Sequence, residues 1–151
     1  MSPIGTVVQP LQASFTLPGF REGKVYDAMR MGVISCAPET PAREVARMMS
    51  TYHIHCVVVA KSVPSGQVPW AVVSDVDLVA AGAETANRTA IEIARSEVVT
   101  VTGGDSLEHA ARLMDKHDTS HLVVVHPETK HPLGVLSTLD LAGVLAWGET
   151  A

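Results

Sequence analysis

The side chains best suited to chemistry lie in two Ser-x-x-Asp tetrapeptides, Ser74-Asp75-Val76-Asp77 and Ser137-Thr138-Leu139-Asp140. Each follows an apolar stretch typical of a buried strand and precedes an apolar stretch typical of a helix. A strand-to-helix junction offers free backbone N–H groups and a field that favours anions. A single tetrapeptide of this kind is most simply a helix cap. Two copies in the same context indicate more, because a carboxylate held there can accept both hydroxyls of a ribose.

The tetrapeptides belong to a longer internal repeat, formed by residues 33–82 and 98–143. Both copies run through a Val/Ile stretch, a polar turn, a helical pattern, a Val run, a second turn, an apolar strand and Ser-x-x-Asp. The apolar stripes of the two helices lie 65 positions apart, at Ala42, Val45, Ala46 and Met49 and at Leu107, Ala110, Ala111 and Met114. The sequence therefore predicts two copies of a β-α-β-β-α unit.

Local signals predict where the helices begin. Thr40 followed by Pro41 suits an N-cap and first turn. Asp105 with Glu108 three residues later resembles a capping box.

The middle strands of the two copies contain unbroken valine runs, which indicate burial on both faces. We align them at their histidines, as His55-Cys56-Val57-Val58-Val59 and His121-Leu122-Val123-Val124-Val125. Each copy is too small to bury its own apolar faces. The predicted fold is α/β (α+β), with the two repeats packed sheet to sheet as one pseudo-twofold module.

We divide the chain into an N-terminal arm (1–24), a first repeat (25–83), a linker (84–94) with a short helical turn at 89–94, and a second repeat (95–148). The 151 residues are 46% apolar and 18% charged, which supports a folded core. A net charge of −5 argues against nucleic acid as a partner. No apolar run could span a bilayer and the N-terminus is unlike a signal peptide, so we expect no membrane partner and a cytoplasmic location.

This order of elements resembles the cystathionine-β-synthase (CBS) domain family in its tandem form, the Bateman module. The resemblance covers roughly residues 24–146. It rests on the His-x-Val-Val-Val strand start and on two copies of Gly, two apolar residues, Ser/Thr, two variable residues and Asp. The second copy, Gly134-Val135-Leu136-Ser137-Thr138-Leu139-Asp140, fits in full. In the first copy Ala71 replaces the glycine, and we expect its methyl group to narrow that pocket slightly.

The resemblance implies a regulatory module that senses a ligand and changes conformation or partner. Family members bind adenosine compounds such as AMP, ADP, ATP or S-adenosylmethionine in two clefts between the repeats. By resemblance, the residues near ribose and phosphate are Asp77, Asp140, Ser74, Ser137, Ser120, His55 and His121. The resemblance also places adenine against the backbone of the opposite repeat, so that Asp140 shares a site with Gly32, Val33 and Ile34, and Asp77 with Glu97, Val98 and Val99.

The histidines bear on which adenosine compound is expected. Related sites often place arginine beside the phosphates, whereas His55 and His121 begin these strands. An imidazole anchors phosphate less firmly than a bidentate guanidinium. We therefore expect weaker binding of a triphosphate than of AMP, adenosine or S-adenosylmethionine, and no required cofactor.

Two alternatives remain open at this point. The chain could be a structural or dimerisation module whose clefts stay unoccupied. It could also be a metal-dependent or hydrolytic enzyme that uses its histidines, but His53 and His55 share one face of a strand while Cys56 points to the other. The sequence contains no Walker loop or HExxH motif, so we expect neither catalysis nor a bound metal.

We expect a homodimer, with an unidentified protein as a further target. The reason is an apolar helix face that paired repeats leave exposed. Its predicted members are Leu78, Val79, Leu141, Val144 and Leu145.

Overall fold

A computed structural model describes residues 18–149, without the side chain of Ser96. Residues 1–17 of the predicted N-terminal arm lie outside this range. The elements in chain order are α1 (Val25–Ala28), β1 (Arg30–Met31), β2 (Ser35–Cys36), α2 (Ala42–Tyr52), β3 (Cys56–Val63), β4 (Gly66–Ser74), α3 (Asp75–Ala81), a 3₁₀ helix (Gly82–Ala86), α4 (Ala90–Ile93), β5 (Ser96–Glu97), β6 (Thr100–Thr102), α5 (Leu107–His117), β7 (His121–Val125), β8 (Pro132–Ser137) and α6 (Thr138–Trp147).

The strands form two four-stranded sheets, in the orders β2-β3-β4-β5 and β1-β8-β7-β6. In the first sheet β2 runs parallel to β3, and β3 pairs antiparallel with β4. In the second sheet β6, β7 and β8 repeat the same arrangement. The predicted pair of β-α-β-β-α units and the mixed α/β fold class are therefore confirmed. None of the helices described in residues 18–149 is long and apolar enough to cross a bilayer.

The first strand of each repeat is exchanged, which means that it pairs in the sheet of the other repeat. The strand β1, at the start of the first repeat, pairs antiparallel with β8 of the second. Likewise, β5 at the start of the second repeat pairs antiparallel with β4 of the first. The short helix that precedes each exchanged strand packs into the same repeat as that strand. Val25 of α1 is buried in the core of the second repeat, and Ile93 of α4 in that of the first. The two repeats are thus interlocked.

The beginnings of the long helices differ from the sequence-based prediction. The N-cap of α2 is Pro41, which makes no side-chain cap bond, and the Ala42 amide donates to the Arg88 carbonyl oxygen at 2.9 Å. The N-cap of α5 is Ser106, whose hydroxyl accepts from the His109 amide at 3.0 Å. Both predicted caps, at Thr40 and Asp105, were therefore wrong by one residue.

The two sheets face each other across a layer of β-branched side chains. Val58, Val72, Val123 and Val125 form its buried centre. Partly buried side chains pack around them, namely Val33, Cys56, Val98 and Val135. Because β3 and β7 also cover a helical layer on their other faces, their valine runs are buried on both sides, as predicted.

The structure corrects the alignment of the middle strands by one residue. Cys56 pairs with Ser74 at the start of β3, and His121 pairs with Ser137 at the start of β7. Cys56 and His121 are therefore equivalent, and the equivalent of His55 is Ser120. One residue along a strand changes the face on which a side chain lies, so the two histidines do not occupy matching positions.

The predicted apolar face was wrong for two of its five residues. Leu141 and Val144 of α6 are buried in the core of the second repeat, and Leu78 is partly buried in that of the first. Val79 and Leu145 are exposed, as is Leu139. The α6 sequence is apolar on nearly all sides, so its periodicity does not reveal which stripe faces the core.

Candidate functional site

Each Ser-x-x-Asp tetrapeptide forms a reciprocal helix cap. The Ser74 hydroxyl accepts from the Asp77 amide at 3.1 Å, and Oδ2 of Asp77 accepts from the Ser74 amide at 2.9 Å. Ser137 and Asp140 repeat these contacts at 3.1 and 2.8 Å. Each cap satisfies two helix-end amides, and each uses only one oxygen of its carboxylate.

Asp77 is the most buried charged residue in the part of the chain that the structure describes, at 5% exposure. No side chain of residues 18–149 forms an ion pair with it, and its hydrogen bonds within that range are those of the cap. Its Oδ1 oxygen therefore has no protein donor there. A buried carboxylate oxygen is costly without a donor, so this atom favours a ligand that supplies one.

Asp77 lines a cleft of about 390 Å³ between the two repeats. The first repeat contributes the end of β4 and the start of α3, including Ser74. The second contributes β5 and the turn before β7, including Ser120 and His121. Apolar contact surface comes from Val72 and Val76. The volume is within the range of small-molecule sites.

The cleft is predominantly acidic. Its charged lining residues are Asp75, Asp77, Arg95, Glu97 and Asp118. Four carboxylates thus face a single guanidinium. Such a cleft repels additional negative charge, because like charges in a partly desolvated site disfavour each other.

The histidine in this cleft adds little positive charge at neutral pH. Burial lowers the pKa of His121 below its ordinary value of 6.5; the charge of His55 lowers it further, and the carboxylates of Asp75 and Asp140 oppose this effect. Its Nδ1 atom lies 3.0 Å from the Ser120 hydroxyl. His121 is therefore a neutral hydrogen-bonding group at pH 7 rather than a cation.

His55 directly precedes β3 and does not line the Asp77 cleft. Its Nδ1 atom is 3.0 Å from Oδ2 of Asp75, and both side chains are exposed. This hydrogen bond holds the pKa of Asp75 below its usual value.

The second carboxylate has a different environment. Oδ1 of Asp140 lies 3.5 Å from Nε of Arg30, which projects from β1. The same two residues border a hollow between α1 and α6. Asp140 therefore forms an ion pair, which Asp77 does not within residues 18–149.

The side chains of the segments that the resemblance places against adenine pack mainly into the interior of the fold. Val33 and Val98 pack between the sheets, and Ile34 and Val99 pack in the cores of the two repeats. The carbonyl oxygens of Ile34 and Val99 accept sheet bonds from Val58 and Val123, both at 3.0 Å. The Gly32 amide donates to Leu133 at 2.9 Å. Glu97, one residue earlier than Val98, does line the Asp77 cleft.

Sequence reasoning overlooked the two arginines beside the carboxylates. Arg30 and Arg95 lie 65 positions apart, the same spacing as the helices. Starting the comparison of the copies at residue 30 rather than 33 would have revealed them. Within residues 18–149, no three His, Cys, Asp or Glu side chains are grouped so that they could hold a metal ion.

Comparison with solved structures supports the fold. The CBS domain pair of protein MJ0100, in complex with 5′-methylthioadenosine and S-adenosyl-L-methionine, matches with a TM-score of 0.72 at 20% identity, covering 82% of this chain and 95% of that one. CBSX2 in complex with AMP matches with a TM-score of 0.70 at 19% identity, covering 82% and 97%. An uncharacterized conserved protein from Pyrococcus horikoshii matches with a TM-score of 0.71 at 17% identity, covering 87% and 98%.

At these identities the likeness to solved structures establishes the fold alone. The comparison with curated protein sequences finds no significant match. The family model of the CBS domain matches residues 25–84 and again residues 90–146. The chain therefore belongs to the CBS domain family and carries two of these domains in tandem.

Proposed function

We propose that this chain is a regulatory module that binds an adenosine compound in the Asp77 cleft. The observation that carries the proposal is the buried Asp77 carboxylate, which has one oxygen in the cap and the other without a protein donor in residues 18–149. Hydrogen bonds to a charged group are stronger than those between neutral groups. The vicinal hydroxyls of a ribose are suitable donors for Oδ1.

The cleft offers contacts for the remaining parts of the nucleoside. Val72 and Val76 offer apolar surface for the base. Ser74 beside the carboxylate and Ser120 from the other repeat are polar contacts for the sugar or its 5′ substituent. Tandem CBS pairs of the same fold have been solved with adenosine compounds, including 5′-methylthioadenosine, S-adenosyl-L-methionine and AMP.

The acidic lining favours a ligand with an uncharged or cationic 5′ group. Four carboxylates and one guanidinium leave an excess of negative charge around the ligand. S-adenosylmethionine carries a sulfonium and 5′-methylthioadenosine is uncharged, whereas ATP brings several negative charges. We expect affinity to decrease from these two compounds through AMP to ATP, and the preference to weaken in high salt because screening shortens the range of the repulsion.

Regulation follows from the position of the cleft between the repeats. A ligand that contacts Ser74 and Asp77 on one side and Ser120 on the other binds best to one relative packing of the repeats. Such a ligand shifts the population toward that packing by its difference in affinity. We propose a binding rather than a catalytic role. We also propose that an unidentified protein binds to one relative packing of the two repeats.

We also propose that the module forms a homodimer. The exposed apolar side chains of α3 and α6, at Val79, Leu139 and Leu145, offer a surface for a second copy. In sedimentation at micromolar concentration, the wild-type chain should be a dimer, and Leu145→Glu should shift the equilibrium toward the monomer. A wild-type chain that sediments as a monomer would contradict the homodimer and leave the cleft proposal intact.

The ligand proposal is tested by isothermal titration calorimetry with adenosine, 5′-methylthioadenosine, S-adenosylmethionine, AMP and ATP. Asp77→Asn keeps an oxygen acceptor for the cap and removes the charge, so we expect binding to weaken about tenfold or more. Asp105→Asn is the matched control, because Asp105 also accepts from the amide three residues earlier, at 2.9 Å, without lining the cleft. Absence of binding by any of the five compounds would favour the structural or dimerisation alternative.

A further inference from the structure

The surroundings of the two motif carboxylates are not equivalent, because that of Asp140 has a cationic partner within the chain. Oδ1 of Asp140 is 3.5 Å from Nε of Arg30, while Oδ2 is engaged in the cap with Ser137. The Asp140 side chain is 11% exposed and that of Arg30 is 65% exposed. Arg30 therefore reaches from the surface to the same carboxylate oxygen that is free in Asp77.

The register of the exchanged strands accounts for the difference. In the second sheet Arg30 lies opposite Val135 and Met31 opposite Gly134. In the first sheet the equivalents of Val135 and Gly134 are Val72 and Ala71, and they lie opposite Ser96 and Glu97. Because Arg95 is the counterpart of Arg30, β5 is displaced by one residue relative to β1. Within residues 18–149, Arg95 makes no ion pair within 4.0 Å of a carboxylate, although it lines the Asp77 cleft.

A single glycine permits the register of β1 against β8. A Cβ atom at Gly134 would overlap with the carbonyl oxygen of Arg30. The equivalent residue Ala71 carries such a Cβ atom, which disfavours the same register for β5 against β4. Arg30, from the exchanged strand of the first repeat, therefore lies beside the Asp140 carboxylate of the second, whereas its counterpart Arg95 forms no ion pair with Asp77 in the described part of the chain.

We propose that Arg30 is an internal latch that excludes ribose from Asp140, so that adenosine compounds bind first and more tightly in the Asp77 cleft. The inference rests on the proposed function, since it concerns the same ligand class. A ribose at Asp140 must displace the guanidinium, and the cost of breaking the pair reduces its affinity. The Asp77 carboxylate carries no such cost.

The test measures adenosine binding calorimetrically in the Asp77→Asn background, where remaining binding reports the Asp140 cleft. Adding Arg30→Met should tighten that binding by about threefold to fivefold, as expected for a partly exposed ion pair. Adding Asp140→Asn to this double variant should remove the gain. Arg47→Met is the matched control, because Arg47 is 66% exposed and pairs with Glu44 at the same 3.5 Å, without bordering either carboxylate.

The outcomes separate this inference from the proposed function. Equal affinity in Asp77→Asn with and without Arg30→Met would overturn the latch while leaving binding at Asp77 intact. If neither the wild-type chain nor any variant binds adenosine, both the latch and the proposed function fail.

A measurement without ligand checks the latch independently. A double-mutant cycle of Arg30→Met and Asp140→Asn should show coupling in the urea midpoint, and the cycle of Arg95→Met and Asp77→Asn should show none. Equal coupling in the two cycles would overturn the asymmetry.

Discussion

Gly134 lies directly against the main chain of Arg30, and the space that a side chain would need is filled by the Arg30 carbonyl oxygen. The contact joins β8 of the second repeat to the strand exchanged from the first. It links the packing of the sheet to the position of the arginine that pairs with the motif aspartate Asp140.

Gly134→Ala should therefore destabilise the fold. The added methyl group meets backbone, which cannot rotate away, so we expect a loss of about 1–3 kcal/mol in the free energy of unfolding measured with urea. Gly143→Ala is the contrasting variant, because a Cβ there has open space and lies in a helix. It should stabilise by about 0.5–1 kcal/mol. Equal effects at the two positions would show that β1 does not press on β8 as described.

The serine caps of α3 and α6 should contribute to the stability of the fold. Ser74→Ala and Ser137→Ala each remove an acceptor for the amide three residues later. Each should lower the free energy of unfolding by about 1 kcal/mol. Ser50→Ala, on the exposed side of α2, should be neutral or slightly stabilising, since alanine is the better helix former. A neutral Ser74→Ala would mean that the reciprocal cap contributes nothing.

Cys56 should be unreactive in the native chain. Burial, reinforced by the negative charge of Asp75, raises the pKa of Cys56 to about 11. Since the thiolate is the nucleophile, Cys56 in a Cys36→Ser variant should react with an aromatic disulfide at pH 8 roughly a hundredfold more slowly than in urea-unfolded chain. Equal rates in the native and unfolded chains would place the thiol in solvent rather than between the sheets.

His121 should make stability depend on pH. Its pKa is lowered in the folded chain, chiefly by burial, from the 6.5 expected of the unfolded chain. The unfolded state therefore takes up this proton at higher pH than the folded state. The contribution of His121 to the free energy of unfolding should be constant above about pH 7.5 and decrease as pH falls through 6.5, until the folded-state pKa is passed.

The variant His121→Gln isolates that contribution. The difference between wild-type and variant urea stabilities, followed from pH 8 to pH 5, should decline toward acid. A difference that is flat, or that grows toward acid, would contradict the burial of the imidazole.

Much of the fold could be predicted because the repeat supplies the same evidence twice. The apolar stripe beginning at Ala42 and that beginning at Leu107 identify both long helices, and the valine runs identify strands buried on two faces. The positions of both Ser-x-x-Asp caps also follow from the sequence, because a hydroxyl and a carboxylate three residues apart can satisfy each other's helix-end amides.

The remaining errors of prediction concern contacts between residues far apart in the chain, which the local sequence does not indicate. The first amides of α2 and α5 are satisfied by carbonyl oxygens of Arg88 and Gly23, which no local signal reveals. Two histidines that look equivalent differ by one residue in strand register. The pairing of Arg30 with Asp140 depends on strand exchange and on the missing side chain of Gly134, neither of which follows from the motif itself.

The proposed contact between Asp77 and a ribose is tested by comparing the binding of adenosine and of 2′,3′-dideoxyadenosine to the wild-type chain and to Asp77→Asn. If the Asp77 carboxylate accepts the ribose hydroxyls, their removal should weaken binding to the wild-type chain about tenfold or more and have little further effect on the variant. If loss of the hydroxyls weakens binding equally in both chains, or in neither, Asp77 does not accept the ribose hydroxyls.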